Sequence, residues 1–234
     1  METIKDTLEK VQKGLVEKFR DNMRCLILYG SWAKGMAKKD SDVDLIAVFE
    51  TMNKETGRAI NEIESRMEGK RDITIVPTNL EDFRKERIPL FTVVKREGKV
   101  IYGDADLSIN PEAPEIKYAE FFKRSYDFES QKIRIAEELL REGLSSGIAD
   151  LCFAASKHAI QAALAMRGEG YSSKMAILQP LAEKYWGKEI AEAFRKLFHL
   201  YIKSEYGIEF LTEEEARLAV DCAGEILKIY ESGI

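Results

Sequence analysis

Apolar residues recur at two different spacings along the chain, and the change of spacing divides it. In the first 103 residues, short apolar runs alternate with segments of helical periodicity. The order is helix, strand, strand, helix, strand, helix, strand, which indicates a small mixed sheet covered by helices. From residue 117 the apolar positions follow helical spacing almost to the end, as in a bundle of four or five helices. The pattern therefore predicts an α+β protein.

A polar segment separates the two patterns. Residues 103–115, with the sequence GDADLSINPEAPE, contain two prolines and show no apolar periodicity. Such a composition is typical of a linker. We therefore predict a first domain at 1–103, a linker at 104–116 and a helical domain at 117–234.

Two local signals lie in the middle of the first domain. Residues 71–76 form a β-rich strand that Pro77 is expected to end, because proline donates no hydrogen bond to a sheet. Thr78 and Glu81 then have the spacing of a capping box. They predict a short helix that continues to about Arg87.

The charge balance limits the classes of partner. The net charge is −5, with 20 basic against 22 acidic residues in positions 1–115 and 16 against 19 in the remainder. Neither part has the basic surplus of a nucleic-acid-binding protein, so we expect no nucleic acid partner. No apolar run reaches the roughly 20 residues of a membrane helix, and the first ten residues lack the apolar core of a signal peptide. We expect a cytoplasmic protein without a membrane partner.

Cysteine and histidine offer little material for a metal site. Cys25, Cys152 and Cys222 are scattered in apolar stretches without metal-ligand spacing, which predicts buried, reduced thiols. The two histidines, His158 and His199, are expected at helix interfaces. Carboxylates must therefore carry any metal chemistry.

The candidate site is a short loop between two apolar strands. The first strand ends at Tyr29 and is followed by Gly30 and Ser31, and the second begins with Asp42-Val43-Asp44. Residues two apart on a strand share a face, so the carboxylates of Asp42 and Asp44 should lie side by side. The backbone N–H groups of a Gly-Ser turn are free to hold an anion.

A third acid, Asp72, stands at the head of the next apolar strand. Three carboxylates at the ends of adjacent strands repel one another by several kcal/mol unless cations neutralise them, so the pattern predicts a bound divalent metal. The alternative is that Asp42 caps a turn and Asp72 is a solvated strand end. An Asp-x-Asp pair alone decides little, because Asp104 and Asp106 have the same spacing.

These motifs resemble the signature of the minimal nucleotidyltransferases, small relatives of the DNA polymerase β superfamily. The resemblance rests on GSWAKG at 30–35 followed by SDVDL at 41–45, and it extends over residues 1–103. The family often has Arg where this chain has Trp32. If that Arg contacts a phosphate, then Lys34, Lys38 or Lys39 would have to make the contact in this chain.

The resemblance also implies roles for the residues that match. Asp42, Asp44 and Asp72 would be the catalytic residues and the ligands of two Mg²⁺ ions, with Asp72 as general base. Gly30 and Ser31 would bind the triphosphate. The implied reaction is two-metal phosphoryl transfer. AMP from ATP, or another nucleoside monophosphate, would move to a hydroxyl of a small molecule such as an aminoglycoside, or of a protein.

The second domain resembles HEPN domains, which are helical bundles frequently fused to or encoded with minimal nucleotidyltransferases. The resemblance covers residues 136–170 and the segment SEYG at 204–207. HEPN ribonucleases carry Arg and His separated by four to six residues on one helix. Here Arg195 and His199 have three residues between them.

Two other functions remain open at this stage. One is an interaction protein, a fused antitoxin and toxin-like pair in which Tyr201 or Tyr206 accepts the nucleotide. The other is a HEPN-type ribonuclease that uses Arg195 and His199. A homodimer formed through the helical domain is a further expectation.

Overall fold

The structure divides into two compact units, Met1–Pro111 and Glu112–Ile234. This computed structural model describes residues 3–38, 41–66, 72–170, 172–207 and 210–231. Lys39, and Arg71 at the start of the predicted strand 71–76, lie outside the described residues. The predicted α+β class is confirmed, because a mixed sheet with helices forms the first unit and the described part of the second is helical. The division falls inside the predicted linker.

The first unit is built on four strands. Its elements in chain order are α1 (Ile4–Phe19), β1 (Met23–Tyr29), α2 (Gly30–Ala33), β2 (Val43–Phe49), α3 (Lys54–Ser65), β3 (Ile73–Asn79), α4 (Leu80–Lys85), α5 (Pro89–Glu97) and β4 (Lys99–Gly103). The strands form one sheet in the order β3-β2-β1-β4. Strand β1 is antiparallel to β2 and β4, whereas β2 and β3 are parallel.

Helices cover both faces of this sheet, which explains why β2 is apolar along most of its length. Leu45 and Ala47 pack in an apolar cluster with α1 and α3. Ile46 and Val48 pack on the opposite face with α4 and α5. Because side chains alternate along a strand, Asp44 shares the face of Ile46 and Val48.

Pro77 does not end the third strand, contrary to the sequence prediction. Strand β3 continues to Asn79, with Pro77 paired in register with Ala47. The reason is visible at Ile75, whose backbone N–H donates to the carboxylate of Glu64 at 2.6 Å. Alternate residues direct their N–H groups to the same side, and β3 is an edge strand. The N–H that Pro77 lacks therefore falls on the open edge and removes no bond between strands.

The helix after β3 also differs from the prediction. Asn79 rather than Thr78 caps α4, because the side chain of Asn79 accepts a hydrogen bond from the backbone N–H of Asp82 at 2.8 Å. Thr78 is still part of the strand and is buried. The helix stops at Glu86, which has a φ of +52°, so it does not reach Arg87.

A buried ion pair holds the segment that follows β4 and contains Asn110. The side chains of Glu86 and Lys95 are 0% and 3% exposed and lie 3.1 Å apart. Glu86 also accepts hydrogen bonds from the hydroxyl of Thr92 and from the backbone N–H of Asn110. Because Asn110 belongs to the predicted linker 104–116, part of that segment is packed on the first unit.

The second unit is a bundle of helices. Its elements are α6 (Pro114–Lys117), α7 (Ala119–Arg141), α8 (Ile148–Met166), α9 (Met175–Tyr206) and α10 (Glu213–Leu227), followed by a short 3₁₀ turn at Lys228–Tyr230. One apolar cluster joins α7, α8, α9 and α10. Helix α9 is interrupted at Gly187, whose φ is +87°.

The cysteines behave as the sequence predicts. Cys25, Cys152 and Cys222 are all buried and unpaired. Burial raises the pKa of the Cys25 thiol to about 11 and that of the Cys152 thiol to about 12. These thiols are therefore protonated and inert at neutral pH. Within the described ranges, no helix is long and apolar enough to cross a membrane.

We predict that Glu86→Gln destabilises the first unit by about 3 kcal/mol or more, because it leaves the ammonium group of Lys95 buried without its counter-charge. The measurement is urea unfolding followed by the fluorescence of Trp32 in a Trp186→Phe background, which reports on the first unit alone. Glu81→Gln is the matched control, since its ion pair with Lys85 is exposed and is worth less than about 1 kcal/mol. Equal losses in the two variants would contradict the prediction.

Candidate functional site

The ends of β1 and β2 bring the candidate residues together. Asp42 directly precedes β2, and Asp44 is the second residue of that strand. Val43, between them, is fully buried and anchors the start of the strand. Tyr29 is paired with Asp44 in the antiparallel register of β1 and β2. Gly30 comes directly after Tyr29, so the turn that it begins lies next to the carboxylate of Asp44.

Gly30 is the residue on which this arrangement depends. Its φ is +70°, in the region that only glycine occupies without strain. A Cβ built on Gly30 would collide with the carboxylate oxygen Oδ2 of Asp44 and lie 3.3 Å from its Cγ. The carboxylate of Asp44 is therefore packed directly against the backbone of the turn.

The charge of Asp44 is poorly compensated. Burial raises the pKa of the Asp44 carboxyl above its ordinary value, and the neighbouring carboxylate of Asp42 raises it further. Two carboxylates held together with this electrostatic penalty form an oxygen donor set that fits a divalent cation, because the positive charge of the cation would offset both causes of the raised pKa. The residues present thus fit the magnesium that the sequence motif implies.

Asp72 directly precedes the neighbouring strand β3 and does not form a set of three ligands with Asp42 and Asp44. The backbone N–H of Val43 donates to the C=O of Asp72 at 2.9 Å. Val43 is in register with Ile73, so Asp42 and Asp72 are side by side at the heads of parallel strands. Among the described residues, no group of three or more His, Cys, Asp or Glu side chains is arranged to hold a metal ion. The role of Asp72 as ligand and base stays a prediction.

The remaining residues of the turn differ in what they can offer a phosphate. Ser31 is half-buried inside the four-residue helix α2, and its C=O accepts a hydrogen bond from the backbone N–H of Met36. The ammonium group of Lys34 lies 2.6 Å from the carboxylate of Glu97. Lys34 is therefore already paired with a carboxylate. Lys38 is exposed, which leaves its side chain accessible to solvent and to a ligand.

Sequence reasoning missed the part that Trp32 plays in this loop. Its indole N–H donates to the backbone C=O of Ser41, at a distance of 3.1 Å. Only one sequence signal could have indicated such a bond. Trp32 is an aromatic residue with a polar N–H, at a position where the minimal nucleotidyltransferases often have Arg. Nothing in the sequence pattern identifies the group that accepts a hydrogen bond from this N–H.

In the second unit, Arg195 and His199 are both exposed on α9, one turn apart. The prediction of a helix interface is therefore wrong for His199, because the buried face of this helix runs through Leu197 and Leu200. It holds for His158, which lies 3.3 Å from the carboxylate of Glu129 on the adjacent helix.

The two candidate tyrosines have opposite environments. Tyr201 stacks on Phe153 with 4.6 Å between the ring centroids. Burial raises the pKa of its phenol, and the nearby carboxylate of Glu205 adds to the shift. Tyr206, by contrast, is 74% exposed. Tyr206 is thus the more accessible acceptor of the two.

Two protein-family models match the chain. Residues 9–106 match the family described as polymerase beta, nucleotidyltransferase. Residues 130–233 match the HEPN domain. The first match includes the Gly30 turn and the three candidate carboxylates, and the second includes α8, α9 and α10. No curated protein matches the chain.

Solved structures are similar to this chain at low sequence identity. The spectinomycin adenyltransferase of Enterococcus faecialis, determined with ATP and spectinomycin, has a TM-score of 0.54 at 17% identity and covers 96% of this chain and 99% of its own. A nucleotidyltransferase-like protein from Exiguobacterium sibiricum has a TM-score of 0.41 at 12% identity, over 95% of this chain and 74% of its own. A toxin-antitoxin structure determined with AMP-PNP has a TM-score of 0.32 at 16% identity. The match covers 56% of this chain and 97% of that one.

We predict that Gly30→Ala destabilises the first unit more than Gly35→Ala does. Both glycines have a φ of +70°, but a Cβ on Gly35 would meet no atom within 4 Å. Gly35→Ala should cost about 1 kcal/mol of backbone strain, whereas Gly30→Ala should cost about 1 to 3 kcal/mol more, because the Asp44 carboxylate must move. Urea unfolding followed by Trp32 fluorescence measures the difference.

A double variant isolates the cause of that difference. In an Asp44→Ala background the colliding carboxylate is absent, and the Cβ of residue 44 would be 3.5 Å from the new methyl group, an ordinary contact. Gly30→Ala should then cost no more than Gly35→Ala does. If the extra cost persists without the carboxylate, the close contact between Gly30 and Asp44 is not its source.

Proposed function

Because this chain belongs to the polymerase β-type nucleotidyltransferases through residues 9–106 and to the HEPN domains through residues 130–233, we propose that it transfers AMP from ATP to a hydroxyl acceptor. The observation that carries the proposal is the carboxylate pair at the Gly30 turn. Asp44 is pressed against the turn, and its pKa is raised by burial and by Asp42. A pair of carboxylates whose ionised form is disfavoured in this way is suited to bind a cation that accompanies a polyphosphate.

The proposed chemistry assigns a task to each part of the site. Magnesium held by Asp42 and Asp44, with Asp72, would neutralise the charge that develops on the α-phosphate and on the leaving pyrophosphate. The turn of Gly30 and Ser31 would bind the triphosphate through its backbone. Asp72 would accept the proton of the acceptor hydroxyl as the new oxygen–phosphorus bond forms and the bond to pyrophosphate breaks.

A small hydroxylated molecule is the acceptor we favour. The spectinomycin adenyltransferase, determined with ATP and spectinomycin, aligns with 96% of this chain and 99% of its own length, so the likeness extends over both units. Tyr206, which is exposed, is the alternative acceptor if the chain acts as a fused antitoxin and toxin-like protein. The intact mass of the protein after incubation with ATP and magnesium separates these two acceptors, because only transfer to Tyr206 adds AMP to the protein itself.

A ribonuclease is the remaining candidate. It is favoured only by the exposure of Arg195 and His199 on one face of α9. It predicts RNA cleavage without nucleotide and loss of cleavage in Arg195→Ala. The net charge of −5 offers no general attraction for RNA, so we rank this function below nucleotide transfer.

We predict that the wild-type protein, in the presence of magnesium, binds ATP in preference to the other nucleoside triphosphates. Asp42→Asn combined with Asp44→Asn should abolish this binding. Calorimetric titration of the four ribonucleotides measures it. The matched control is Asp104→Asn combined with Asp106→Asn, which removes a second, exposed Asp-x-Asp pair from the same unit and should leave the affinity unchanged. Equal binding by the Asp42/Asp44 variant would overturn the proposal.

A further inference from the structure

We infer that Trp32 is a positioning residue that holds Asp42 at the nucleotide site through the backbone of Ser41. The inference rests on the proposed function, because it concerns how one of the proposed metal ligands is fixed. It starts from the hydrogen bond of 3.1 Å between the indole N–H of Trp32 and the C=O of Ser41, the residue directly before Asp42. The bond is partly buried, so solvent competes with it less than at an open surface.

The residue that receives this bond also forms two hydrogen bonds with Lys38. The backbone N–H of Ser41 donates to the C=O of Lys38 at 3.1 Å. In return, the backbone N–H of Lys38 donates to the hydroxyl of Ser41 at 2.8 Å. Ser41 is therefore bonded to both Lys38 and Trp32, and the indole ties it to the helix that begins at Gly30.

Asp42 is held from both sides by this arrangement. On its N-terminal side, the C=O of Ser41 is held by Trp32. On its C-terminal side, the N–H of Val43 is held by the C=O of Asp72 at 2.9 Å. Asp42 itself is exposed, so packing does not fix its side chain. The two backbone bonds fix the main chain on both sides of Asp42, two residues from Asp44.

The bond also explains how Trp32 can stand where the resembling family often has Arg. An Arg side chain at that position would be available to a phosphate, whereas the indole N–H is already used within the protein. The triphosphate then loses one direct contact, and the site gains a ligand that is oriented before the cation arrives. Pre-orientation reduces the entropy lost on binding.

The test compares cation binding in the full-length protein when only this bond is removed. Mn²⁺ is titrated in the presence of a non-hydrolysable ATP analogue, and the relaxation of water protons reports the protein-bound ion. Trp32→Phe removes the N–H but also some ring surface. A second variant therefore carries the benzothienyl analogue of tryptophan at position 32, which keeps the shape of the ring and has sulfur instead of the N–H. Trp186→Phe, in the other unit, is the control.

We expect both Trp32 variants to bind Mn²⁺ about five- to tenfold more weakly than wild type, which corresponds to the loss of one hydrogen bond of about 1 kcal/mol. The benzothienyl variant should lower the unfolding midpoint by no more than the loss of this one bond does, whereas a general structural defect would lower it further. Wild-type affinity in that variant overturns the role of Trp32 and leaves the proposed function standing. Absence of Mn²⁺ binding in the wild type itself overturns the proposed function.

Discussion

The site depends on the small distance between the Asp44 carboxylate and the backbone of Gly30. A single methyl group on Gly30 would enter the space that the carboxylate fills. The carboxylate is also partly removed from water and lies beside a second negative charge on Asp42, and both effects raise its pKa. The protein therefore maintains an unfavourable charge distribution at one corner of its sheet, which is expected of a site that is completed by a cation.

The sheet makes this arrangement rigid. Strands β1 and β2 are the two central strands, and apolar side chains cover both of their faces. The Gly30 turn directly follows β1 and Asp44 is the second residue of β2, so neither can shift without disturbing the core. The buried pair of Glu86 and Lys95 secures the later part of the same unit. The proposed site is thus a loop whose two ends are fixed by the two central strands of the sheet.

The sequence predicted the elements with strong periodicity and the motif with fixed spacing, but not the contacts that cross the loop. The mixed sheet and the pairing of Asp42 with Asp44 follow from local patterns. Pro77 was misjudged because its effect depends on whether the strand lies at an edge, which is a property of the whole sheet. The bond from Trp32 to Ser41 could not be predicted, because its acceptor is a backbone carbonyl nine residues away.

The most direct test of the account is the pKa of Asp44, measured by NMR titration of the side-chain carboxyl resonances, with Asp44→Asn to assign the signal. Without divalent cations, the pKa of Asp44 should lie above the ordinary value of 3.8. Adding magnesium with a non-hydrolysable ATP analogue should lower it, because a bound cation favours the ionised carboxylate. An ordinary pKa that does not respond to magnesium and nucleotide would contradict the central claim.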